Sequence, residues 1–453
     1  MQNESVQHDA GAATLGSRVV APPPTLARSE GFMARTFSAL RHQNYRYYFI
    51  GQLVSQIGTW MQMVAQGWLV YELTKSPFFL GLVSFASSIP VLCFSLWSGV
   101  IVDRFPRRTV LLITQINAML LAFILSALVF TGVVQPWHIL ILSSLLGINS
   151  AFDNTARQTF VKDMVGREDM PNAIALNSAL FNLSRIIGPS LAGIALATVG
   201  PAWCFLLNGL SFLAVIYGIW RMTMPKFVPP ARTGSMLAEI TEGINYVRDN
   251  ETIRTLIGVV AITTVFGFAY TTLMPAYARE VLMKDTPSVD VLRGVFKTND
   301  EQLSGILVGF QSTAVGIGSL AGALLAATFS TYRRKGKLLT VGNLVFPAML
   351  ILLALSRSLP FSLLCLSCIG FGFMVQQSMA NTLVQSNVPD RLRGRVMSVY
   401  TLGFFGMSPL GALQSGTVAQ QFGVPAGIGV GATIALLFSL LILWRVPRVR
   451  NLE

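Results

Sequence analysis

The feature that most constrains this chain is a succession of long apolar stretches separated by short loops, where most of the basic residues gather. A helix rises about 1.5 Å per residue, so about 20 apolar residues cross a hydrocarbon layer about 30 Å thick. Twelve stretches qualify. In the first half they lie near Tyr45–Tyr71, Phe79–Val102, Thr109–Thr131, Trp137–Ala156, Asn172–Val199 and Ala202–Met222. The second half holds Ile253–Tyr277, Leu303–Thr328, Leu338–Leu355, Phe361–Val384, Val396–Gln420 and Val424–Trp444. Hydrocarbon offers no hydrogen bonds, so each span must satisfy its own backbone as a helix. An all-α integral membrane protein of twelve transmembrane helices is expected.

Composition excludes the soluble alternative. Only 12% of residues are charged and 53% are hydrophobic, against about 25% charged in a soluble domain. The net charge of +13 does not point to nucleic acid. Its cations sit in loop clusters such as Arg104, Arg107 and Arg108, or Arg333, Arg334, Lys335 and Lys337, without interleaved stacking aromatics. With the amino terminus inside, about 26 of the 33 Lys and Arg fall on the cytoplasmic side, about 6 outside, and Arg185 within a span. Both termini are then cytoplasmic and the protein sits, multi-pass, in the cell (inner) membrane.

Residues 1–40 contain Pro22, Pro23 and Pro24 with scattered charge and no apolar core, so a disordered cytoplasmic tail is expected rather than a signal peptide. Residues 41–224 form one six-helix bundle, 252–445 a second, and 446–453 a short cytoplasmic tail. Between the bundles, 225–251 is a cytoplasmic linker. Within it Met236, Leu237, Ile240, Ile244 and Val247 recur at helical spacing, which predicts an amphipathic helix at the membrane surface. A weak internal repeat supports the division. Asn154-Thr155, Val165-Gly166-Arg167 and Gly188-Pro189 are echoed by Asn381-Thr382, Val388-Pro389-Asp390-Arg391 and Ser408-Pro409.

The loop after the second span reads Gly99-Val-Ile-Val-Asp103-Arg104-Phe-Pro106-Arg107-Arg108. It resembles the charged loop of the major facilitator superfamily, keeping Gly99, Asp103, Arg104, Arg107 and Arg108 and departing at Pro106. Gly99 permits close helix approach. Asp103 can face the positive end of a helix in the other bundle, making this loop an inner gate; the cations alone would also serve topology. The corresponding loop at Tyr332–Lys337 lacks the aspartate. In the fifth span, Arg185-Ile-Ile-Gly188-Pro189-Ser-Leu-Ala-Gly193 resembles the superfamily's exporter motif, with Ser184 in place of its upstream glycine. Pro189 removes a helix hydrogen bond and Gly188 and Gly193 admit close packing, so a bend is expected. The stretch from Phe152-Asp153 to Gly193, with Gly58-Thr59-Trp60 and Gly67-Trp68 to Glu72, is similar to the branch that includes enterobactin exporters and macrolide-efflux transporters. The resemblance runs from Tyr45 to Arg445. It implies the major facilitator fold, a monomer, and export by antiport.

Gln52, Gln56, Thr59, Met63 and Gln66 share one face of the first span. An amide facing lipid would go unsatisfied at several kcal/mol, so this stripe faces a substrate cavity or buried interhelix partners. Asn149 and Asn154 in the fourth span, and Gln376, Gln377 and Asn381 in the tenth, are candidates for the same cavity. Asp153 and Arg185 are the ionisable groups expected deep in the apolar region, where each is costly without a partner. They form either a proton-and-substrate pair or separate elements, with Asp153 joined to Arg107 in the gate. Glu72, at the outer end of the first span, is a further proton-site candidate.

Catalysis has no support. There is no G-x-x-x-x-G-K-S/T phosphate loop, and His8, His42 and His138 are scattered. Cys365 and Cys368 form a C-x-x-C inside an apolar helix, with no second pair to complete a metal site. No cofactor, metal or nucleic-acid partner is expected. The expected partners are a small-molecule substrate, protons and the bilayer. The function implied is a secondary-active exporter, by proton antiport, of a siderophore or amphiphilic drug-like compound. An uptake symporter of the same architecture is the alternative.

Overall fold

In a computed structural model, residues 37–166, 168–224, 236–329 and 335–452 are described. The expectations for the tail over 1–36, the linker over 225–235 and the basic cluster at 330–334 lie outside these residues.

Six helices make the first half: α1 (Gln43–Thr74), α2 (Pro77–Arg104), α3 (Arg107–Phe130), α4 (Pro136–Val165), α5 (Met170–Thr198) and α6 (Pro201–Arg221). The linker carries α7 (Met236–Asp249). Next come α8 (Glu251–Ile262), α9 (Met274–Glu280), α10 (Thr286–Phe296), α11 (Asp300–Thr328), α12 (Lys335–Leu355) and α13 (Leu359–Asn387). The second half ends with α14 (Asp390–Thr401), α15 (Ser408–Phe422) and α16 (Val424–Arg445). Proline opens α2, α4, α5, α6, α13 and α16 in the first turn, where its missing N–H has no helical partner to lose. Gly200 and Gly423, at φ +88° and +86°, turn the chain between α5 and α6 and between α15 and α16. Their separation, 423 − 200 = 223 residues, matches the sequence repeat.

Among the described residues, ten helical segments are long and apolar enough to cross a membrane. The helices α1 and α4, 32 and 30 residues long, fall short because of their own polar residues, among them Gln52, Gln62 and Gln66 in α1 and Asp153, Arg157 and Asp163 in α4. Two expected spans are not continuous α-helix. The seventh passes from α8 through a π turn at Thr263–Gly267 and a 3-10 turn at Phe268–Leu273 into α9. The eleventh is broken by a π turn at Leu402–Gly406, between α14 and α15. The fourth span was expected to end at Ala156, yet α4 runs on to Val165.

Glycine sets how closely the helices approach. A methyl at Gly51 would stand 2.7 Å from the Ala214 carbonyl oxygen of α6, and one at Gly147 would overlap the Ser87 carbonyl oxygen of α2. In the second half Gly318 and Gly370 bring the backbones of α11 and α13 together in the same way. With no hydrophobic drive between helices in lipid, such close packing holds the bundle.

The buried side chains divide by depth. Near the termini, one core draws only on the first half (Tyr45, Leu111, Phe160, Ile219), and another on α7 and the second half (Val247, Leu256, Leu383, Tyr400). Toward the opposite end, a single core joins both halves, from Trp68, Leu196 and Phe205 to Leu273, Tyr277 and Leu307. The linker helix α7 rests on protein by one edge: Glu242 pairs with Arg395 and, at 3.5 Å, with Arg391 of α14, and Val247 is buried, while Ile244 stays exposed.

Candidate functional site

A cavity of about 530 Å³ lies at mid-depth where the halves meet. That falls within the 300–1,000 Å³ typical of sites for drug-sized ligands. Its first-half wall includes Thr59, Met63 and Gln66 of α1, Ser84 and Ser87 of α2, and Arg185 and Pro189 of α5. The second-half wall includes Phe268, Tyr270 and Thr272 of the broken seventh span, Ser312 of α11, and Ser408 and Ala412 of α15. The 3-10 turn at Phe268–Leu273 thus sets irregular backbone against the cavity, where such backbone is tolerated at membrane depth, while neither π turn lines it.

The cavity is closed at the end remote from the termini. There the Trp68 indole N–H donates to Ser304 at 2.8 Å, the Tyr71 hydroxyl to Glu280 at 2.6 Å, and the Ser76 hydroxyl to Gln420 at 2.7 Å. Glu72 pairs with Lys75 and faces Arg279 at 3.9 Å. Backbones also touch: methyls at Gly193 and Gly309 would stand 3.2 and 2.8 Å from each other's Cα, and one at Gly81 2.5 Å from the Ala412 oxygen. Between the cavity and the terminus-bearing end the halves share no core.

The stripe on α1 splits along its length. Thr59, Met63 and Gln66 line the cavity, Gln66 also donating to Ser143 of α4 at 2.9 Å. Gln52 is buried and donates to Gln56 at 3.2 Å, and neither residue reaches the cavity. Asn149 faces a different, mainly apolar groove between α2, α3 and α4, with Asn117 and Phe152. Asn154 is exposed and outside the cavity wall. The tenth-span residues lie outside the cavity wall and bond inside the second half: Gln376 donates to Thr263 at 2.7 Å, Asn381 accepts from Gln385 at 2.5 Å, and only the backbone carbonyl of Gln377 accepts, from Tyr400 at 3.4 Å.

Asp153 and Arg185 are not brought together. Asp153 is buried and accepts from Thr114 (2.9 Å), Gln115 (2.6 Å) and Arg157 (2.5 and 3.2 Å). Arg157 sits one helical turn along the same face of α4, which makes it the partner nearest in sequence. Nor does Asp153 meet Arg107. That arginine forms a two-oxygen pair with Asp163 at 2.7 and 3.0 Å, in the part of α4 that runs past the expected span end. Arg108 donates to the last carbonyls of α6, at Ile219 (3.1 Å) and Trp220 (2.7 Å), so it caps that helix. Asp103 and Arg104 form the last turn of α2, Asp103 half-buried and Arg104 exposed, with Gly99 one turn earlier.

The bend motif stands at the cavity. Pro189 lies in its wall, and its missing N–H leaves the Arg185 carbonyl without the usual donor. Gly188 admits Trp60 of α1, whose Cβ would be 2.5 Å from an added methyl, and Gly193 admits Gly309 of α11. The guanidinium of Arg185 is half-buried, 5.8 Å from the centre of the Trp60 ring. Sequence reasoning missed the wall residues of the seventh span and the pair formed by Asn208 and Gln62, at 2.7 Å. The polar spacing on α6 was the signal for the latter.

Residues 34–453 match the family described as transmembrane secretion effector. The staphyloferrin A transporter of Staphylococcus aureus is 24% identical over 84% of this chain and 90% of its own length. The multidrug efflux pump Tap of Mycolicibacterium fortuitum is 26% identical over 88% of this chain and 95% of its own. Among solved structures, a bacterial homolog of the human lysosomal transporter Spinster, in an inward-facing and unoccupied conformation, is similar at a TM-score of 0.64 and 14% identity. The alignment covers 93% of this chain and 99% of that one. This likeness carries the fold. The chain belongs to the transmembrane secretion effector family of major facilitator transporters, and is a multi-pass membrane transporter of small molecules, not an enzyme.

Proposed function

We propose that this protein is a secondary-active exporter that moves a siderophore or an amphiphilic drug-like molecule out of the cytoplasm by alternating access. The observation that carries this is a cavity of about 530 Å³, walled by both halves, closed beyond Trp68 and Ser304 and lacking a shared core toward the termini. Twelve spans, arranged as bundles over 41–224 and 252–445 joined by the linker 225–251, would leave both termini in the cytoplasm, a reading that the distribution of Lys and Arg supports. The state is then inward-facing and ready to load. Rocking about the α5–α11 and α2–α15 contacts would open the far end and close the near one. The resemblance to a siderophore transporter and a multidrug pump supports this substrate class.

Proton antiport fits the far seal. Glu72 and Glu280 lend charge to contacts between the halves, so neutralising either would favour opening on that side. Asp153, held by three partners within the first half, serves instead to fix α3 on α4. In the loop after α2, Asp103 is assigned to the inner gate and Arg107 and Arg108 to its rigid base.

Inside-out vesicles test the direction. An acid-inside gradient should drive accumulation of labelled siderophores or macrolides, and Glu72→Gln should reduce its dependence on that gradient. Uptake into right-side-out cells with no accumulation in inverted vesicles would reverse the assignment.

A further inference from the structure

Among the described residues, the cavity wall carries one charged side chain, and it is positive. Among the described residues that line the cavity there is no Asp or Glu, and Arg185 is its sole cation. No carboxylate or hydrogen-bond acceptor among the described residues meets its guanidinium; its neighbour is the face of Trp60. The Trp60 indole N–H is itself buried without an acceptor. A half-buried guanidinium in an apolar wall is favoured by an anion beside it. Three half-buried arginines elsewhere have a carboxylate: Arg157 has Asp153, Arg107 has Asp163 and Arg395 has Glu242. Arg185 has none among the described residues, and it stands where the molecule is hollow.

We infer that the cavity selects amphiphilic anions, and that Arg185 is the residue that binds the ligand's carboxylate, catecholate or similar oxyanion. This rests on the cavity being the transport site. The planar fork of Arg185, suited to an anion with two oxygens, belongs to the cavity wall, and the unpartnered Trp60 N–H lies buried on another wall residue. Phe268, Met63 and Phe212 supply apolar wall for the remainder of the molecule. A cationic compound of the same size would face Arg185 across a poorly screened interior, with no acid to offset the repulsion. Charge also bears on direction. An anion leaving a negatively polarised cytoplasm moves with the membrane potential, so each negative charge on the ligand adds to the drive for export.

Two dyes built on one xanthene frame separate the possibilities: fluorescein, an anion, and rhodamine 123, a cation. Binding is followed by fluorescence polarisation with the full-length protein in nanodiscs. The wild type should bind fluorescein at least about tenfold more tightly than rhodamine 123. Arg185→Gln should weaken fluorescein by about tenfold or more while leaving rhodamine 123 unchanged or tighter, and Arg185→Lys should restore part of the loss. Trp60→Phe, which keeps a ring and removes the N–H, should weaken fluorescein a few-fold. This second variant and the wild-type preference stand even where Arg185→Gln fails to fold. Preference for rhodamine 123, no binding of fluorescein, or equal weakening of both dyes by Arg185→Gln overturns the inference. Accumulation of rhodamine 123 in inverted vesicles alongside any of these results would leave the exporter standing and remove only its anion selectivity.

Discussion

At the end remote from the termini, the halves meet through backbone at Gly193, Gly309, Gly81 and Ala412, and through hydrogen bonds from Trp68, Tyr71 and Ser76. At the terminus-bearing end each half keeps a core of its own, and its charged residues bond inward: Arg107 to Asp163, Arg108 to α6, Glu242 to Arg395. The first end joins the halves, by backbone contact at glycine and by a core that draws on both. The second makes each half stiff by itself. A molecule that changes which end is open gains from separate cores at the second end, because each half can then move as a rigid body without repacking its own interior.

The largest effect should come from locking the first end. Ser76→Cys with Gln420→Cys, at positions whose side chains now hydrogen-bond, joined by a reducible bifunctional thiol reagent, should nearly abolish flux, with recovery on reduction. Free flux in the cross-linked protein would show that this end never opens. Next in size is Gly309→Leu, whose first carbon would stand 2.8 Å from Gly193 Cα. Flux should fall about tenfold or more, with a loss of stability of about 1–3 kcal/mol from overpacking. Its counterpart at the other end, Gly394→Ala, meets nothing within 4 Å and should leave both unchanged.

The smallest effect concerns the amino-terminal turn at Ser38–Arg41. Hydrogen bonds from Ser38 (2.6 Å) and His42 (2.7 Å) hold the Asp169 carboxyl below its ordinary value of 3.8. A lowered folded-state value means the contribution is present above that ordinary value and disappears as pH falls through the lower one. Asp169→Asn should therefore cost on the order of 0.5 kcal/mol at neutral pH, given the exposure of the pair. Melting curves of variant and wild type should converge as the solution is acidified below pH 3.8.

Much of this was legible in advance, because hydrocarbon imposes strict rules. Apolar length located the spans, and spacing on α1 put Thr59, Met63 and Gln66 on a common face with Gln52 and Gln56. Periodicity fixes a face but not a depth, so nothing in the spacing said that the cavity would stop short of Gln52. Asp163 went unseen as the partner of Arg107 because hydropathy ends a span where the lipid ends, whereas α4 continues beyond it as helix. The break at Thr263–Gly267 contains no proline. A methyl at Gly267 would stand 2.5 Å from the Phe346 ring, so that turn is fitted to a residue far along the chain.

Pro189 and Arg185 lie one helical turn apart, with the carbonyl of the second released by the ring of the first. Cargo held by that guanidinium would thus rest on the fulcrum of its own helix. Occupancy could then alter the tilt of α5 directly, with no relay through distant side chains.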